Sequence, residues 1–154
     1  MADNIFNDLY RAKKIMMICG RNDTNKYIKL ILRRYLRKRY SIFIGQNTEI
    51  KGNIILPHPQ NIVLGNGVKI GNNVTIYQDV TIGVKKIDDA NIGSSYAAIE
   101  DNVCIYAGAK IIGNIVVGNS SVIGCNSVVN KDVPSKCIFA GVPAKKIGVV
   151  EANT

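Results

Sequence analysis

From Ile44 onward an aliphatic residue returns every six positions, a spacing that neither a helix nor an ordinary strand produces. The series runs Ile44, Ile50, Leu56, slips by two residues, and continues through Leu64, Ile70, Ile76 and Ile82. It resumes at Ile99, Ile105, Ile111, Val117, Ile123 and Val129. Four places after many of these stands a second small or β-branched residue, among them Val68, Val74, Val103, Ala109, Ser121 and Ser127. Helical faces repeat at 3.6 residues and strands at 2. Six fits a short strand followed by a sharp corner, with one aliphatic side chain pointing inward per segment. Gly and Asn crowd the intervening positions, as in "LGNGVKIGNNVTI", and both tolerate positive φ at low cost. Three segments close a triangular coil, and coils stack at the usual strand spacing of about 4.8 Å. The chain is therefore expected to be an all-β protein built on a left-handed parallel β-helix of hexapeptide repeats. The hand is that of proteins with this repeat, against the usual right-handed crossover.

The ends depart from the period. Residues 5–18 and 26–40 read as helices, with "CGRNDTN" as the break between them. The expected organisation is a short α-helical N-terminal segment over 1–40, the β-helix over 41–135, and a closing segment over 136–154. One extended loop, 84–98, interrupts the coils between Gly83 and Ile99; beside a site, such an excursion favours function over a tolerated insertion.

Composition removes several classes of function. At 154 residues the chain is long enough for one domain with a real core. The N-terminus "MADNIFNDLY" has no basic stretch leading into an apolar one, and "IMMIC" is too short for a leader core or a membrane span. A cytoplasmic protein is the expectation. Cys19, Cys104, Cys125 and Cys137 form no CxxC pair, and one histidine cannot complete a Cys/His zinc site, so free thiols and no metal are expected. The net charge of +9 invites a nucleic-acid reading, but aromatics make up 6% and no nucleic-acid motif is present. The charge is also local: residues 26–40 hold seven basic residues and no acid. A small polyanion or an acidic membrane suits that distribution equally. Peripheral membrane contact through 33–39 competes there with a solvated or inter-subunit helix.

The only histidine, His58, stands between Pro57 and Pro59 in "NIILPHPQNIVLGNG". If Ile44, Ile50 and Leu56 start the three sides of the first coil, the residue two after each third-side aliphatic is His58, Gln78, Ala107 and Cys125. These four are expected to form one column up the prism. Its small members would leave a trough for a thin, extended ligand whose reactive end lies near the imidazole; a chance run of small residues is the competing reading.

The stretches "LPHPQNIVLGNGVKIGNNVTIYQDVTIG", "IEDNVCIYAGAKIIGNIVVGNSSVIGCNSVV" and "AGVPAKKI" resemble the hexapeptide-repeat acyltransferases over residues 41–148. The similarity is to the serine acetyltransferase-like branch, including surface-polysaccharide O-acetyltransferases. That resemblance implies acetyl-CoA as co-substrate and a homotrimer, possibly a dimer of trimers, with the site between subunits. It implies His58 as the base that takes the acceptor hydroxyl's proton, a task an imidazole suits near neutrality. It implies backbone N–H groups near Gly83 and Val84 for the oxyanion. Ala107 and Cys125, with Gln78, Tyr106 and Gly124 beside them, would line the pantetheine arm. Lys110, Lys131, Lys145 and Lys146 are the candidate phosphate cations, Lys145 foremost because it lies inside the terminal motif.

Departures from that branch shape the acceptor expectation. Pro57 stands where serine acetyltransferases carry Asp, and Ser95 and Tyr96 stand where they carry an Arg-His pair. Phe43 occupies the place of the carboxylate that orients the histidine, leaving a backbone carbonyl or Glu49 for that task. The expected acceptor is therefore a sugar, or another small hydroxyl compound, of a surface polysaccharide or its precursor, with serine as the alternative. A carbonic-anhydrase-type metal enzyme needs three histidines per metal and is excluded by one. A non-catalytic β-helical scaffold is the last competitor.

Overall fold

The computed structural model describes residues 2–21, 23–84 and 96–151, with 2–9 as backbone only. Two helices open the chain, α1 (Ala2–Gly20) and α2 (Lys26–Tyr40). The side chain of Asn25 caps α2 by accepting the Tyr27 amide at 2.8 Å, and Ser41 ends it in the left-handed region with φ 54°. Met16, Cys19 and Leu36 are fully buried beneath the first coil, so the helix pair closes one end of the prism. Among the described residues no helix is long and apolar enough to cross a membrane.

The rest winds as a left-handed parallel β-helix with three flat sheets. Sheet A stacks β1 (Phe43–Ile44), β4 (Val63–Leu64), β7 (Thr81–Gly83), β10 (Lys110–Ile112) and β13 (Val128–Val129). Sheet B stacks β2 (Glu49–Ile50), β5 (Lys69–Ile70), β8 (Ala98–Ile99) and β11 (Val116–Val117). Sheet C stacks β3 (Ile54–Ile55), β6 (Val74–Ile76), β9 (Cys104–Ile105), β12 (Val122–Ile123) and β14 (Cys137–Gly141), with β15 (Ala144–Val149) antiparallel at its end.

The register follows the six-residue period. Ile44 pairs with Leu64, Leu64 with Ile82, Ile82 with Ile111 and Ile111 with Val129. Ile50, Ile70, Ile99 and Val117 align on sheet B, and Ile76, Ile105 and Ile123 on sheet C. Each ladder is a buried column, and the second small residue of each repeat is buried with it. Burying one such side chain stabilises the fold by roughly 1.5–3 kcal/mol, so the stacked columns are the main cohesive term. Among the described residues the three buried hydroxyls are satisfied: Thr48 Oγ1 donates to Gly65 O at 3.0 Å, Ser121 Oγ donates to Pro134 O at 2.8 Å, and Ser127 Oγ accepts the Gly141 amide at 3.1 Å.

Corners fall where the chain turns left-handed. The corner from sheet C to sheet A is made by Asn61, Asp79, Gly108 and Asn126, all at positive φ. The C-terminal segment, expected only to close the last coil, is the hairpin β14–β15 turning at Val142-Pro143. The expected loop 84–98 lies, except for Val84 and residues 96–98, outside the described residues.

Candidate functional site

His58 sits on the corner from sheet C to sheet A, in the first coil. Leu56 is buried before it, Pro59 is buried after it, and the imidazole between them is exposed. The Gln60 amide donates to the His58 carbonyl at 2.8 Å, closing a tight turn around the ring's own backbone. Proline on both sides fixes the adjacent φ values. Coil-to-coil hydrogen bonds then run Asp79 N–H to Gln60 O, Gly108 N–H to Gln78 O and Asn126 N–H to Ala107 O.

Those bonds and the sheet C register locate the slip: Ile54 pairs with Val74 and Ile55 with Thr75, so the first coil is in register through β3 and the two extra residues fall between β3 and the corner. The ladder at this corner is Gln60, Gln78, Ala107 and Cys125, and His58 stands two residues outside it. The two extra residues of the slip are accommodated before the left-handed corner, so "PHP" bulges out of the coil. Counting back from the corner residues Asn61, Asp79, Gly108 and Asn126 finds Gln60 level with Gln78, and counting forward from the paired strands β3 and β6 finds His58 there, as the column expected.

A ring ladder runs beside the backbone ladder. His58 lies 6.4 Å from the Tyr77 ring, centroid to centroid, at 53°, and Tyr77 stacks on Tyr106 at 5.1 Å and 21°. Tyr77 was not among the residues expected from the sequence, because only the inward aliphatic positions of the repeat carry a periodic signal. The neighbouring Cys104 thiol, and Tyr77 after it, hold the Tyr106 phenol above its ordinary value. Burial pushes the Cys104 thiol up, opposed by its hydrogen bond to Tyr106. Gln78 Oε1 is buried with no hydrogen-bond partner, an unmet acceptor at the same corner.

Further along this edge the track meets the hairpin. The Gly124 amide donates to Phe139 O at 2.8 Å, and a Cβ on Gly124 would lie 2.8 Å from the Ala140 Cβ. Ala140 pairs with Lys145, and Phe139 with Lys146, so both lysines are two strands beyond Gly124 and exposed Cys125, with β14 between. One edge of sheet C therefore gathers His58, Gln78, Tyr106, Ala107, Gly124, Cys125 and Lys145 in that order.

The remaining candidates sit elsewhere. Gly83 and Val84 end β7 at the other edge of sheet A, where the chain leaves toward sheet B, and exposed Lys131 follows β13 at that same corner of the last coil. Lys110 is engaged rather than free, since its Nζ donates to the Asp79 carbonyl. Glu49 is on sheet B, a side of the prism away from the corner that carries His58. The Phe43 ring lies under the Arg37 guanidinium at 5.1 Å. Tyr96 packs onto Gly67, whose φ of +69° and missing Cβ make room for the ring. Ser95 lies outside the described residues.

Grooves lie at the helical end among the described residues. One of about 590 Å³ is lined by α1 with Lys13, Lys14 and Lys51, and one of about 900 Å³ by α2 with Arg33, Arg34, Arg37 and Lys38; neither includes His58. Among the described residues no three His, Cys, Asp or Glu side chains gather in a way that could hold a metal ion.

No family model matches the chain. Individual proteins do. It is 37% identical over 132 residues to the serine acetyltransferase of Buchnera aphidicola, covering 86% of this chain and 47% of that protein. The soybean serine acetyltransferase complexed with serine superposes with a TM-score of 0.72 at 30% identity, over 89% of this chain and 54% of that one. The serine acetyltransferase of Brucella abortus in complex with coenzyme A superposes with a TM-score of 0.65 at 26% identity, over 99% and 71%. The chain spans about half the length of the curated relatives it matches. These matches overturn the expected sugar acceptor of a surface polysaccharide: similarity in sequence and in structure converges on serine acetyltransferases. The missing Asp and Arg-His pair exclude one way of gripping serine, which is weaker than excluding serine.

Proposed function

The chain belongs to the hexapeptide-repeat acetyltransferases, and on that premise we propose that it is an acetyl-CoA-dependent O-acetyltransferase whose acceptor is serine. The observation that carries the reading is the single imidazole, exposed on a proline-framed bulge at the foot of a track of small residues that ends at Lys145.

In this reading His58 takes the proton of the acceptor hydroxyl as that oxygen attacks the thioester carbonyl. The C–S bond then breaks, the acetyl group stays on the oxygen, and the sulfur leaves as the CoA thiol, taking back the proton that His58 had accepted. Backbone N–H groups at Gly83 and Val84 receive the oxyanion. Ala107, Gly124 and Cys125 flank the pantetheine arm, and the orphaned Gln78 Oε1 is an acceptor suited to a pantetheine amide N–H. Lys145, Lys146 and Lys131 meet the phosphates. Serine's carboxylate is met without an arginine at position 95.

Assembly belongs to the same proposal. His58 is on one edge of sheet A, while Gly83, Val84 and Lys131 are on the other. Parallel prisms packed corner to corner bring one chain's histidine to its neighbour's opposite corner, which a homotrimer, or a dimer of trimers, achieves for every chain. A monomeric mass by light scattering at assay concentration would count against it. Peripheral contact with an acidic membrane through 33–39 is supported by exposed Tyr27, Ile31 and Tyr35 among the cations of α2, and cosedimentation with anionic vesicles tests it.

The deciding assay is CoA release on adding serine, with His58→Ala alongside. The expected loss for the variant is about 10²–10⁴-fold in kcat. No serine-dependent release overturns the acceptor; an unchanged rate in His58→Ala overturns the base.

A further inference from the structure

We infer that Tyr77 is the positioning residue for His58, replacing with a tilted aromatic ring the carboxylate that Phe43 displaces. The inference rests on the reading of His58 as the base. Among the described residues the imidazole's ring contact is with Tyr77. A centroid separation of 6.4 Å at 53° lies within the range of favourable aromatic pairs, which contribute about 0.5–1.5 kcal/mol beyond their buried area. Tyr77 is itself held from behind. Its ring stacks at 5.1 Å on Tyr106, and both residues follow the same aligned pair of β6 and β9, Ile76 and Ile105.

The arrangement divides the work by element. The prolines fix the backbone on either side of His58, and the Tyr77–Tyr106 stack, seated on the rigid prism, limits the sweep of the imidazole. A ring contact orients without charge, so Tyr77 sets where the base points. Tyr77 faces outward from the coil, so replacing it leaves the interior columns intact.

One histidine in the chain makes the test unambiguous, because a protein without a tag gives a single imidazole Hε1 resonance. Tyr77→Leu is expected to move that resonance by removing the ring current, and to lower kcat roughly tenfold to a hundredfold as the base loses its aim. The melting temperature falls by a few degrees at most, as the loss of one outward ring's contacts requires. Tyr77→Phe keeps the ring and recovers both the resonance position and kcat to within about threefold of the parent. Wild-type kcat in Tyr77→Leu overturns the inference, as does a kcat loss with an unmoved resonance. So does a Tyr77→Phe variant as poor as Tyr77→Leu, which would assign the effect to the hydroxyl. His58→Ala, measured in parallel, reports separately on the base: if that variant is fully active, the catalytic reading fails whatever the resonance does.

Discussion

Adding one methyl at Gly124 tests the most distant joint of the proposed track. The built Cβ of Gly124→Ala falls 2.8 Å from the Ala140 Cβ, and 3.4 Å from both Phe139 O and Ser127 Oγ. A carbon pair wants at least 3.5 Å, so β14 and the hairpin it carries must give way by several tenths of an ångström. Overpacking of this kind costs about 1–3 kcal/mol. For a chain of this size each kcal/mol is worth roughly 2–4 °C, so melting should fall by about 2–12 °C in a thermal scan. The hairpin also holds Lys145 in register with Ala140, and losing one exposed charge contact of about 1 kcal/mol raises KM for acetyl-CoA about fivefold. His58 is three coils away, so kcat should change far less than KM. Gly148→Ala is the control on the same hairpin, because its Cβ meets Ile138 Cδ1 at an ordinary 3.5 Å. Wild-type melting and KM in Gly124→Ala would refute the reasoning, since the close approach of corner and hairpin would then have no energetic weight.

Three further outcomes follow from burial. Cys125 is exposed while Cys19 and Cys137 are buried, so iodoacetamide at neutral pH should modify Cys125 first, and CoA should slow that reaction; mass spectrometry of the peptides decides it. Burial holds the Cys19 thiol above its ordinary value, opposed by Arg33 and Lys29. The folded state thus prefers the protonated thiol: the full contribution is present below the unfolded value of about 8.5 and is lost as pH rises through the folded one. Urea midpoints followed into alkali should decline less steeply in Cys19→Ala. Ile105 is fully buried between Ile76 and Ile123, so Ile105→Ala should cost about 2–5 kcal/mol in urea unfolding, and a loss under 1 kcal/mol would mean the column is not packed as described.

Much of the fold was legible because one physical requirement recurs at every coil. An inward aliphatic per side must meet its equivalents above and below, so the period alone assigns Ile44, Leu64, Ile82 and Ile111 to one ladder, and the pairing agrees. The position of the histidine was less legible. Between Leu56 and Leu64 the period slips by two, and inward positions do not say on which side of the corner the extra residues lie. The corner itself does, since only Asn, Asp and Gly occupy its left-handed position in four successive coils. Tyr77 and the hairpin escaped for another reason. Outward side chains obey no period, and "CIFAGVPAKKIG" reads as a tail until β14 is seen to extend sheet C and β15 to pair back on it. Lys110 illustrates the limit on charge: its sequence neighbourhood matches a phosphate cation, yet its ammonium is engaged by a backbone carbonyl.

On the proposed reading of His58, the slip is also what lets a repeat of this kind present a base. A residue kept in register on the corner ladder hands its backbone to the coils above and below, as Gln78 and Ala107 do, and its side chain is bounded by theirs. Two extra residues free the backbone of His58 from that ladder, and its carbonyl turns instead to the Gln60 amide within the bulge. Freedom alone would give a floppy imidazole, since an exposed loop residue samples several rotamers. Three constraints restore a direction: Pro57 fixes φ before the ring, buried Pro59 anchors the chain after it, and Tyr77 meets the ring itself. The bulge therefore lifts the imidazole off the prism wall while the neighbouring coil aims it. Deleting Pro59 and Gln60 would remove the slip and return position 58 to the corner ladder, and on the proposed reading of His58 acetyl transfer should fall with it.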